Sequence, residues 1–112
     1  MTNIHLTSSD EEIRLEIQKL DAEEQTHLAM AESSQKLLVE ELTLVKKIGP
    51  QMQKAMEENN VDEMYEGLET FIGIFSNITN LISVHMNSLR DANEAKLWKD
   101  KYEFLLTIPE GE

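Results

Sequence analysis

The sequence predicts an all-α protein, a small helical bundle or elongated helical hairpin of three to five helices. Three observations predict it. Proline occurs only at 50 and 109 and glycine only at 49, 67, 73 and 111, so few residues interrupt a helix. Leu, Glu, Lys, Met and Gln, which form helices readily, are abundant. No run alternates strictly between apolar and polar residues, so no strand is expected. A chain of 112 residues suits one compact domain. The expected layout is a flexible leader over 1–8, a single helical domain over 9–108 and a loose tail over 109–112.

The first helix opens at Ser9, where Ser9 and Glu12 have capping-box spacing and Asp10 and Glu11 suit the positive end of the helix dipole. Ile13, Ile17 and Leu20 start an apolar face that continues through Leu28, Ala31, Leu38, Leu42, Val45, Met52 and Met56. Glu24, His27, Ser34 and Gln35 fall on or beside that face, which predicts a kink or break within 21–34. Gly49-Pro50 either ends one helix and starts the next or kinks a single long one. Asn59-Asn60 closes the element, and Asn60 with Glu63 marks a new N-terminus.

From Val61, the residues Met64, Leu68, Phe71, Ile72, Phe75, Ile78, Ile82, Met86 and Leu89 share one broad face at 100° per residue. Asp62, Glu66 and Glu69 lie opposite. No charged residue occurs over 70–89, where Gly73, Ser76, Asn77, Asn80, Ser83 and Asn87 continue the polar side without charge or bulk. Such a face lets another helix approach without desolvating an ion, or else it simply meets water. Asp91 and Glu94 predict a last helix starting near 92, with Ala95, Trp98, Tyr102 and Leu105 as its stripe and Pro109 as its stop. Residues 90–103 hold four basic and four acidic side chains, so the net charge of −12 lies elsewhere.

That charge, with a pI near 4.6, argues against nucleic acid and against anionic membrane as partners, since both demand Lys and Arg. Cysteine is absent, which removes disulfides, thiolate metal sites and Cys nucleophiles. The opening MTNIHLTSSDEE lacks the basic patch and apolar run of a signal peptide. Residues 70–89 are too polar for a membrane span, and the sequon Asn77-Ile78-Thr79 is read as chance. The expected location is the cytoplasm.

Glu24-x-x-His27 places a carboxylate and an imidazole on one helix face, as in di-iron bundles. A di-iron site needs a second copy, and His85 has Ile82 three residues before it. His5, His27 and His85 lack a neighbouring nucleophile, and no phosphate loop, G-x-S-x-G or HExxH occurs. No catalytic residue, metal or cofactor is expected. Met30, Met52, Met56, Met64 and Met86 suit either core filling or an adaptable binding surface.

The stretch MQKAMEENNVDEMYEGLETFIGIFSNITNLI closes a helix at EENN and opens another with acidic residues and the run Glu66-Gly67-Leu68-Glu69. Over residues 34–89 it resembles small acidic helical bacterial proteins, some of unknown function, and in size and layout the flagellar export chaperones of the FliT kind. The resemblance implies a chaperone or adaptor that binds a partner's helix; no functional residue carries over from it. The expectation is a non-enzymatic interaction module, a homodimer that binds an amphipathic helical or basic segment. Trp98, Tyr102, Leu105, Gly73, Asn77 and Asn80 are its candidate binding residues. The alternative is a structural protein that self-associates through helical packing, since two long helices alone make a thin core.

Overall fold

The computed structural model describes residues 9–108. They form two long helices arranged as a hairpin, α1 (Asp10–Glu57) and α2 (Val61–Leu105), of 48 and 45 residues. The all-α expectation holds, and no strand occurs among the described residues. The expected three to five helices are two. The leader over 1–8 and the tail over 109–112, with His5 and Pro109, lie outside the described residues.

Local chemistry sets the helix ends. Ser9 Oγ accepts the Glu12 amide at 3.2 Å and donates to Glu12 Oε1 at 3.1 Å, so Ser9 caps the helix as expected, with Glu12 taking its hydroxyl rather than its backbone amide. At the turn, Asn59 takes the left-handed conformation with φ 53°. The Asn60 amide donates to the Ala55 carbonyl at 2.9 Å and the Asn59 amide to Met56 at 3.2 Å, a Schellman closure of α1. Asn60 then restarts the chain by accepting the Glu63 amide on Oδ1 at 3.2 Å. Both asparagines act as the sequence predicts.

The expected helix breaks do not occur, and of the two readings of Gly49-Pro50 it is the single long helix that forms. α1 runs without a break through 21–34 and through Gly49-Pro50, and α2 runs through 91–92 into the supposed last helix. A proline inside a helix costs ~3 kcal/mol. Pro50 and Lys46 are both exposed, so the lost bond lies on the outer side of the helix. Packing at Ile48, Met52 and Ala55, the last only 1% exposed, offsets the rest.

Burial follows a 4-3-4-3 spacing along each helix, the heptad pattern of a two-helix seam. The chain divides into two compact units. Of the described residues, the terminal unit comprises 9–30 and 87–108. Its core is Ile13, Leu20, Ala95 and Tyr102, with Ile17, Leu105 and Leu106 packed against it. The turn unit, Ala31–Met86, buries Ala31, Ser34, Ala55 and Ile74, with Leu38, Val45, Ile48, Phe71, Ile78 and Leu81 half-buried between them. Gly67 belongs to this seam, because a Cβ there would meet Met52 Sδ at 2.6 Å. Most fully buried positions are small residues.

Candidate functional site

Two of the polar residues that interrupt the α1 face, Glu24 and Ser34, find partners on α2. In the terminal unit, Lys99 donates to Glu24 Oε1 at 2.7 Å and to Asp21 Oδ1 at 3.0 Å. The hydrogen bond to Glu24, then that to Asp21, raises the Lys99 ammonium well above the usual lysine range, with partial desolvation opposing them. In the turn unit, His85 Nδ1 and the Ser34 hydroxyl converge on the Ala31 carbonyl. Asn77 donates to Glu41 Oε1 at 3.4 Å, while Glu41 Oε2 is buried without a hydrogen-bond partner. These are polar pairs across the seam within each unit. Glu24 and His27 share a helix side, yet Lys99 occupies the carboxylate. No metal-holding group of His, Asp and Glu occurs among the described residues.

Among the described residues, two surfaces combine a cavity with exposed large apolar side chains. In the terminal unit, a groove of about 300 Å³ is lined by Trp98 together with Glu16, Glu23, Asp91 and Glu94, with Lys19 and His27 also on its wall. Trp98 is 37% exposed, stands 5.8 Å from the Tyr102 ring and carries the Lys101 ammonium 4.5 Å from its ring centre. Leu97, Phe104 and Ile108 are exposed in the same unit.

The turn unit carries the second surface. Val61, Tyr65, Leu68, Ile72, Phe75, Ile82 and Met86 are all exposed. Each sits one position after a seam residue, so together they form a second heptad stripe, interrupted only by Thr79. Met56 of α1 joins it, sharing a concave apolar surface with Val61, Tyr65 and Leu68 above the seam residues Met52 and Met64. Leu42, two heptads before Met56, is exposed as well.

The six candidate residues divide. Trp98 faces the groove. Tyr102 is 4% exposed and belongs to the terminal core, so it does not present its side chain, and Leu105 is half-buried against that core. Gly73 and Asn80 are exposed, with nothing within 4 Å of a Cβ at Gly73. Asn77 is exposed beside Glu41. The methionines split too: Met52 and Met64 are half-buried, while Met30, Met56 and Met86 are open. Val61 and Tyr65 escaped notice in the sequence because they belong to a stripe offset by one residue from the seam, and a single broad face absorbs both.

The fold and its surfaces define an all-α helical hairpin with unfilled apolar faces. Comparison with known proteins finds no matching family model, no matching curated protein and no matching solved structure. No helix of the described residues is long and apolar enough to cross a membrane.

Proposed function

We propose that the chain is a non-enzymatic protein–protein interaction module, a cytoplasmic chaperone or adaptor that binds an amphipathic, basic helical segment of a partner. The observation that carries this reading is the terminal-unit groove, where Trp98 shares a wall with Glu16, Glu23, Asp91 and Glu94. An aromatic anchor beside convergent carboxylates suits an apolar side chain flanked by Lys or Arg. The same acidity works against nucleic acid and anionic lipid.

Capture from the native host tests it, with the unaltered chain and the Trp98→Ala and Glu94→Lys variants as baits. A protein held by the first and lost from both variants, and displaced by salt, is the expected result. Identical recovery by all three baits removes the groove from the account. The alternative, a self-assembling structural protein, draws on the stripe of the turn unit.

A further inference from the structure

We infer that the α2 stripe of the turn unit is covered by the same stripe of a second copy, antiparallel, so that the working unit is a homodimer joined through this face. The inference stands apart from the groove around Trp98, which lies in the other unit.

Area comes first. Half-open side chains of this size leave on the order of 100 Å² each, so the seven stripe residues with Leu42 and Met56 leave on the order of 900 Å², against roughly 800 Å² per partner in a standard interface. Exposures such as 61% at Ile72, 56% at Phe75 and 65% at Tyr65 exceed what scattered surface apolars require.

Charge selects the occupant. Each copy carries −12, so two copies meet without repulsion only through a neutral face. No charged residue lies in 70–89, and the adjoining α1 line of Gln35, Leu42, Gly49 and Met56 is neutral too. A basic partner would instead call for an acidic rim along the whole stripe, and acids flank it only at its start, beside Val61, Tyr65 and Leu68.

Charge also selects the direction. Asp62, Glu63, Glu66 and Glu69 crowd the start of α2. Parallel copies would set these acids against each other, whereas antiparallel copies set them against the neutral far end. The stripe is then self-complementary about a twofold axis between Ile72 and Phe75, with Val61 over Met86 and Tyr65 over Ile82. Gly73 and Asn80, about 130° around the helix from the stripe at 100° per residue, stay outside the interface.

The chain has no cysteine, so single introduced cysteines report cleanly with a short bismaleimide, and circular dichroism checks that each variant is helical. Ile72→Cys should cross-link to itself. Val61→Cys should not, because antiparallel copies hold the two sites roughly 37 Å apart at 1.5 Å per residue. A mixture of Val61→Cys and Met86→Cys should join. Self-linking of Val61→Cys would replace this dimer with a parallel one. Linking through Gly73→Cys but not Ile72→Cys would move the interface to the outward neutral face. No linking at any site overturns the inference, and leaves the Trp98 groove to be judged by its own capture experiment.

Discussion

His85 Nδ1 lies 2.8 Å from the Ala31 carbonyl oxygen and 3.2 Å from Ser34 Oγ, while the Ser34 hydroxyl donates to the same carbonyl at 2.9 Å. A carbonyl only accepts, so the neutral imidazole carries its proton on Nδ1. The two helices of the turn unit are thus tied at one level by a polar layer within a largely apolar seam, the kind of layer that can select register at some cost in stability.

His85→Ala should therefore destabilise by about 1–3 kcal/mol, through a lost hydrogen bond and a vacated half-buried site. Ser34→Ala with His85→Leu should be about neutral or more stable, since both polar partners leave together. Urea unfolding of the two variants separates the cases. An unchanged midpoint for His85→Ala would mean that the layer is not formed.

This layer also shows what the sequence could convey. Caps were legible because Ser9, Asn59 and Asn60 act on their nearest neighbours. The polar residues Glu24 and Ser34 read as part of a weak point in α1, because their partners Lys99 and His85 are more than fifty residues away. Gly49-Pro50 left two readings open for the same reason: its local signal is genuine, and seam packing on both sides carries the helix through it. The candidate surface was half legible. Trp98 stood out by type, but whether Tyr102 or Phe104 faced outward depended on where the second helix lay.

The two interior glycines of α2 should respond differently to alanine. Gly73→Ala meets nothing within 4 Å and should stabilise by about 1 kcal/mol through helix propensity. Gly67→Ala gains the same propensity but must push aside Met52, whose Sδ lies 2.6 Å from the new Cβ, so its gain should be smaller. Thermal unfolding ranks them. Equal gains would show that Met52 moves freely, and a loss at Gly73 would show that something packs on the outward face.

Lys99 should matter where the exposed pair Lys36–Glu32 does not. The Lys99 and Glu24 side chains are 17% and 13% exposed, against 75% and 70% for Lys36 and Glu32, so water and salt screen the first pair far less. Lys99→Gln should lower the melting temperature clearly, and Lys36→Gln hardly at all. The folded-state pKa of Lys99 lies above the ordinary lysine value of 10.5. Its contribution is therefore complete below that value and disappears only as pH rises through the raised one. Melting curves from neutral to strongly alkaline pH should show a constant gap between Lys99→Gln and the unaltered chain, closing at the alkaline end. A gap that closes by neutral pH would assign the stabilisation to another group.

The central claim is that the exposed α2 stripe is an interface and not bare surface. Sedimentation equilibrium tests it most directly. The unaltered chain should sediment at micromolar concentration as twice its mass of 12.9 kDa. Ile72→Glu, which places a charge on the stripe, should sediment at the single-chain mass and remain helical by circular dichroism. An unaltered chain that stays at the single-chain mass across the concentration range would contradict the claim, as would an Ile72→Glu dimer as tight as the original.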